Sequence, residues 1–180
     1  MEWIESYKPK NKEEAEDREH LLQLNPALIA TDRSAPYHYT TSSMVMDFDA
    51  DKLLMIYHPI YKSFSWPGGH VEDGEELFYS ALRELYEETS IRYVKPLSEE
   101  PLAMELLPVK AHERKGEAVD SHFHINFCYG FLGHEDDTLF EANENRKWVP
   151  VNALDTFVSE AHMLPIYKDL IERMRALYEK

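Results

Sequence analysis

The acidic stretch that follows Gly68-Gly69 restricts this chain more than any other segment. From Gly69 to Ile91, seven acidic residues (Glu72, Asp73, Glu75, Glu76, Glu84, Glu87 and Glu88) are opposed by one base, Arg83. Leu77, Ala81 and Leu85 recur every four residues, joined by Phe78 and Leu82, so the periodicity predicts a helix over residues 75–89. Glu84, Glu87 and Glu88 stand at i, i+3 and i+4 and fall within an arc of about 100° on that helix. The apolar residues fill the neighbouring arc, which places the three carboxylates at the edge of the core-facing side. On an outward face such a triplet is ordinary solvated surface, repelling by a few tenths of a kcal/mol per pair. At a half-buried edge, charges about 5–6 Å apart cost nearer 3 kcal/mol per pair at an effective dielectric of about 20. That arrangement needs a cation, and oxygen-only ligands suit Mg²⁺ or a similar hard divalent ion.

The chain has 180 residues, a length for one domain. Residues 11–24 read as a charged helix with early carboxylates, stopped by Asn25-Pro26. Residues 31–36 read as a loop. Strands are expected over residues 39–48, 53–57, 61–66, 102–110 and 122–132, with another beginning at Trp148-Val149. Residues 164–178 read as a terminal helix with Pro165 in its first turn. Strands on both sides of a central helix, closed by a second helix, suggest an α/β sandwich. We divide the chain into an N-terminal helical extension, residues 1–35, packed on a main domain, residues 36–180.

Composition narrows the function classes. The net charge of −15 argues against nucleic acid or anionic lipid as a partner, since both need a basic surface. It leaves a phosphorylated ligand open, because a bound metal inverts the local field. Cys128 is the single cysteine, so an intrachain disulfide framework is excluded. The first 19 residues are rich in Glu and Lys and lack a signal-peptide apolar run, and no apolar stretch has membrane-spanning length. A cytoplasmic address is the expectation.

The spacing around the acidic triplet is more specific than the triplet. Gly69 is followed after five residues by Glu75, then after seven by Arg83-Glu84-Leu85, Tyr86, Glu87-Glu88, Thr89, Ser90 and Ile91. This resembles the Nudix box, G-x5-E-x7-R-E-U-x-E-E-x-G-U, at all but one fixed position. Trp66-Pro67-Gly68-Gly69-His70-Val71-Glu72 resembles the common lead-in to that box. The departure is Ser90, where the family has glycine. Either serine takes positive φ there, at about 1 kcal/mol, or the helix ends differently.

The resemblance implies an α-β-α sandwich with a mixed sheet, and a hydrolase that cleaves a nucleoside diphosphate linked to another group. It implies Mg²⁺ or Mn²⁺ held by Glu84, Glu87 and Glu88, with the Gly68 backbone carbonyl as a further ligand. Arg83 and Glu75 would support the carboxylates; the alternative is a surface salt bridge. A metal-activated water would attack phosphorus, with Glu87 or Glu88 taking the proton. Family members often place the base outside the box, and Glu141 and Glu144 are candidates here, against a reading as solvated loop acids.

Other residues carry weaker signals. His122 and His124 share a strand face, His38 precedes the first hairpin strand, and His70 sits in the box loop. They are candidates for substrate phosphates or a leaving group. A pair at this spacing also suits a transition metal, and hydrogen-bonded strand histidines are the plain alternative. Tyr39, Tyr61 and Trp66 are candidates to stack on a base, or are core and rim residues. Cys128 is expected to pack inside its strand. The expected partner is a small nucleotide-type substrate, with the chain a monomer or homodimer. Rival readings are a non-catalytic Nudix module that binds a nucleotide or sugar nucleotide and regulates a partner, and an isoprenoid-diphosphate isomerase on the same fold.

Overall fold

The computed structural model describes residues 1–59, 61–114, 116–134 and 145–179. In chain order the elements are α1 (Glu2–Ser6), α2 (Lys12–Gln23), β1 (Ile29–Ala30), β2 (Tyr37–Asp47), β3 (Lys52–His58), β4 (Ser63–Ser65), β5 (Gly68–His70), α3 (Leu77–Thr89), β6 (Val94–Pro96), β7 (Ala103–Val109), β8 (His112–Arg114), β9 (Glu117–Val119), β10 (His122–Gly133), β11 (Arg146–Pro150), α4 (Leu154–Phe157) and α5 (Met163–Tyr178). The sequence reading placed the long elements within about two residues, which is the usual fraying of element ends. It placed β4 inside the strand expected over 61–66 but missed α1, α4 and the other two- and three-residue strands, which are too short to show a period.

The sheet is mixed. Its spine runs β11-β3-β2-β10-β6, with β1 and β5 also on β2, β4 on β3 and β7 on β10. The long β2 and β10 run parallel, setting His124 opposite His38 and Cys128 opposite Ser42. The other main ladders, β2–β3, β3–β11 and β7–β10, are antiparallel. A parallel centre needs helices on both faces, and β2 is buried without a break from His38 to Asp47. Odd-numbered side chains of β2 and β10, including Val45, Phe127 and Phe131, pack with Leu77, Ala81 and Leu85 of α3. Even-numbered ones, including Met44, Met46 and Cys128, pack with Tyr167, Leu170 and Met174 of α5. The result is a helix-sheet-helix sandwich. Phe48, expected to continue the strand alternation, lies beyond β2 and is exposed. The turn there is closed by Asp47, whose Oδ1 accepts from the amides of Asp51 and Lys52, both at 2.9 Å.

Residues 1–24 pack on the α3 side. Asn11 caps α2 by accepting from the Glu14 amide at 2.8 Å. Ile4 and Leu21 are fully buried in the α3-side core, and Trp3 meets Tyr39 edge-on at 4.9 Å. Glu14, itself buried, accepts from Tyr7 Oη and pairs with Arg173 of α5, so α2 and α5 are tied by charge. Among the described residues no helix is long and apolar enough to cross a membrane.

Candidate active site

Helix α3 lies across β2 and β5, held by Thr41 Oγ1 to Ser80 Oγ at 3.3 Å and Ser43 Oγ to the Ala81 carbonyl at 3.2 Å. The two glycines of β5 set how closely these parts approach. A Cβ at Gly68 would sit 2.3 Å from the Thr41 carbonyl oxygen, and one at Gly69 would sit 2.3 Å from Glu84 Cδ. Residue 68 is therefore glycine because the β2 backbone lies against it, a reason the sequence did not show. Glu88 closes the arrangement by accepting a 2.8 Å hydrogen bond from the Gly68 amide.

Glu84 and Glu88 are half-buried, while the Glu87 side chain is 56% exposed. The triplet thus straddles the edge of the core, with two members inside and one out. Arg83 organises it. Its Nε and Nη2 donate to the two oxygens of Glu75 at 2.9 and 2.8 Å, its Nη1 donates to Glu84 at 2.8 Å, and Nη2 also donates to the His70 carbonyl at 3.0 Å. Glu87 is farther, at 3.5 Å. A forked guanidinium with both carboxylates largely covered is not the exposed salt bridge that was the alternative reading. Hydrogen bonding to Arg83 holds the Glu75 carboxyl down to about 2, and the same bond raises Arg83. Glu88 goes the other way. Burial pushes it up to about 7, with the charges of Glu84 and Glu87 adding to the rise and the Gly68 amide opposing it.

The helix ends at Ser90 with φ 56° and ψ 16°, the left-handed conformation in which the family carries glycine. The Ser90 amide still bonds the Tyr86 carbonyl at 2.7 Å, so the helix terminus forms without glycine.

The four histidines come together from three strands. His38 Nε2 is 3.1 Å from His70 Nε2, and His122 Nε2 is 3.3 Å from His124 Nε2. The His38 ring is 4.8 Å from that of His122 and 4.9 Å from that of His124. His112, which the sequence reading passed over, adds a fifth ring 6.1 Å from His122. Its signal would have been the hairpin before β10, visible only once that pairing is known. Burial holds His38 below its ordinary value and takes His124 down to about 3, with the neighbouring imidazoles assisting.

A cleft of about 600 Å³ joins the two groups. Its wall includes Gly69 and Glu88 on one side, His70 and His124 on another, and Tyr61 and Trp66. Of the three stacking candidates, Tyr39 is buried in the α3-side core and faces away from this cleft lining. Trp66 packs edge-on against Tyr167 at 5.2 Å. Cys128 is fully buried, as expected. Glu141 and Glu144 lie outside the described residues.

Known proteins share this sequence pattern and fold. A model of the NUDIX domain matches residues 36–173. Over 88 residues the chain is 35% identical to the "Probable DHNTP pyrophosphohydrolase" of Lactococcus lactis subsp. cremoris (strain MG1363), covering 49% of this chain and 51% of that protein. The chain thus spans about half the length of that curated relative. Among solved structures, C. elegans Ap4A hydrolase superimposes with a TM-score of 0.52 at 20% identity, over 77% of this chain and 96% of that one. E. coli dihydroneopterin triphosphate pyrophosphohydrolase gives 0.52 at 20% identity, over 75% and 92%. At such identities these two establish the fold, the Nudix α-β-α sandwich. Since the matched segment runs from the start of β2 into α5 and contains Gly69, Glu75, Arg83, Glu84, Glu87 and Glu88 at the box spacing, the chain belongs to the Nudix hydrolase family.

Proposed function

We propose that the chain is a divalent-metal-dependent hydrolase of a phosphoanhydride bond. The substrate is a nucleoside diphosphate linked to another group, or a pterin triphosphate of the kind named for its relatives. One observation carries the reading. Glu88 stands half-buried on the cleft wall, beside Glu84 and Gly68, as a carboxylate pushed toward neutrality by burial and by like charge. Arg83, the nearby base, is already engaged by Glu75 and Glu84. A set of desolvated oxygen donors with surplus negative charge fits a hard dication. Glu84, Glu87 and Glu88, with the Gly68 carbonyl, would hold Mg²⁺ or Mn²⁺. When bound, the ion would neutralise phosphate charge and lower the pKa of a water beside it.

The chain's own groups do the rest. Glu75 fixes Arg83, and Arg83 aims Glu84. Glu88, where it is not taken up by the ion, would accept a proton from the attacking water. Glu87 and Glu144 are the further acid-base candidates. His70 and His124 line the cleft, with His38 and His122 packed beside them, and their imidazole N–H groups would donate to phosphate oxygens. Trp66 and Tyr61 supply apolar wall for a flat ring.

A release assay tests the proposal. Nucleoside diphosphate derivatives, diadenosine tetraphosphate and dihydroneopterin triphosphate are incubated with Mg²⁺ or Mn²⁺, and products are read by phosphorus NMR. Cleavage that stops in EDTA is the expected result. Binding without release across the panel points to a regulatory module, and rearrangement with the diphosphate intact points to an isomerase.

A further inference from the structure

Nothing in phosphoanhydride hydrolysis by a carboxylate-held ion calls for five histidines in one cluster. Their arrangement has three features of its own. The first is tautomer. His38 Nδ1 lies 3.0 Å from the Ala35 carbonyl and His122 Nδ1 lies 2.8 Å from the Asp120 carbonyl. A carbonyl oxygen only accepts, so each Nδ1 carries the proton, and in the neutral ring each Nε2 presents a lone pair. Both Nε2 atoms turn inward, toward His70 and His124 respectively. A backbone carbonyl orienting the far nitrogen is how metal-ligating imidazoles are held.

The second feature is spacing. Ligand nitrogens of His38, His70 and His124 all lie within 4.8 Å of one another, and those of His38 and His70 are 3.1 Å apart. A tetrahedral ion with metal-nitrogen bonds of about 2.0–2.1 Å separates its ligands by about 3.3–3.4 Å. The trio therefore needs small ring movements to close on one ion. The third feature is rigidity. His38 and His124 are register partners in the central parallel ladder, and β5 brings His70 in by pairing with Thr40 of β2.

We propose that His38, His70 and His124 form a second metal site, chemically distinct from the carboxylates of α3, that takes a borderline transition dication such as Zn²⁺. Nitrogen-only donors favour such an ion over Mg²⁺, which prefers oxygen. Three protein ligands leave a fourth position for water or a substrate oxygen. His70 and His124 line the same cleft as Glu88, so that open position would be reached from the cleft. His122 stands at the edge, 3.3 Å from His124, as an alternate donor. The site goes beyond the proposed hydrolysis, since it is read by metal binding without turnover.

The test is calorimetric titration of Zn²⁺ into the metal-stripped full chain with Mg²⁺ in large excess to saturate the carboxylates. One equivalent should bind at micromolar affinity or tighter. His70→Gln and His124→Gln should each weaken it by roughly 100-fold or more, with circular dichroism confirming the fold. The double variant Glu84→Gln/Glu88→Gln should keep the Zn²⁺ site. Co²⁺ added to the unaltered chain gives a readout that needs no variant, an intense visible spectrum of tetrahedral nitrogen coordination. Absence of a saturable Zn²⁺ site, or Zn²⁺ binding that survives both histidine changes and is lost with the glutamates, overturns the proposal and leaves a hydrogen-bonded histidine cluster.

Discussion

Glu84 occupies the space that a side chain on residue 69 would need: its Cδ is 2.3 Å from where a Cβ on Gly69 would stand. The clash is with a carboxylate that is itself held from the far side by Arg83 at 2.8 Å. Gly69→Ala must therefore displace Glu84 or push α3 off β5. A shift near 1 Å at a reacting centre costs on the order of 100-fold in turnover. We expect that loss, with weakened Mg²⁺ affinity and a small change in melting temperature. Unchanged kinetics in the alanine variant would show that Glu84 has no positional role.

Glu88→Gln separates charge from shape. Glutamine still offers an oxygen to the Gly68 amide, so the fold should persist. Metal-dependent turnover should fall by orders of magnitude, because the variant has neither a ligand charge nor a proton acceptor. In the unaltered chain, Mg²⁺ must displace a proton from a carboxyl near 7, so affinity should rise with pH through neutrality and level off above it. The glutamine variant should lose that slope. Isothermal titration between pH 6 and 8.5 measures both, and a pH-independent affinity in the unaltered chain would contradict the assignment.

Arg83→Lys tests whether charge alone supports the site. Arg83 forks to both oxygens of Glu75 and reaches Glu84 and the His70 carbonyl besides. An ammonium cannot reproduce that planar fork. Activity is expected to drop about 10-fold to 100-fold, in the range seen when groups that orient metal ligands are changed. The Glu75 carboxyl, now near 2, should move up toward the ordinary range in a carboxylate-resolved NMR titration. Full activity with lysine would reduce Arg83 to a charge.

What could be read in advance followed from chain-local physics. The amphipathic period of α3 and its box spacing were visible because every residue involved lies within 23 positions of the others. The β2 and β10 strands were legible from their apolar runs, but their parallel pairing was not. That pairing, which sets His124 opposite His38, decides that the histidines form one cluster instead of four separate residues. The burial of Tyr39 was hidden for the same reason: it depends on Trp3, 36 residues away, docking over the sheet. His112 and the β8–β9 hairpin offered no periodicity to detect. Glu88 was placed at an edge by geometry alone, and its raised carboxyl appeared only when the depth of that edge was known.

Ser90→Gly isolates a backbone cost. Ser90 sits at φ 56°, where a Cβ costs about 1 kcal/mol relative to glycine. The side chain is exposed and the amide bond to Tyr86 does not need it. Glycine should raise the melting temperature by about 2–4 °C for a chain of this size. Turnover and metal affinity should be unchanged. A lower melting temperature would mean that the serine hydroxyl contributes more than the strained backbone loses.

Two carboxyls and three imidazoles shape the pH response of the metal-free fold. Glu105 is pushed up to about 8, chiefly by burial, with the Asn126 hydrogen bond opposing, and its Oε1 has no hydrogen-bond partner among the described residues. Glu88 stands near 7. Unfolded, both titrate in the ordinary carboxylate range at 4.5. Between 4.5 and 7–8 the folded chain therefore holds protons that the unfolded chain has released. By linkage these two carboxyls make stability fall as pH rises through that window, whereas His38, His58 and His124, held by burial below their ordinary 6.5, make it rise up to about 6.5, so the fall emerges above pH 7. Melting in EDTA should show this decline between pH 7 and 8. Mg²⁺ should offset the Glu88 share and leave that of Glu105. Glu105→Gln keeps an acceptor for Asn126 and removes the buried charge, so it should flatten the remaining slope and raise the melting temperature at pH 8. A melting temperature at pH 8 in EDTA that Glu105→Gln leaves unchanged would show that Glu105 is not raised in the folded chain.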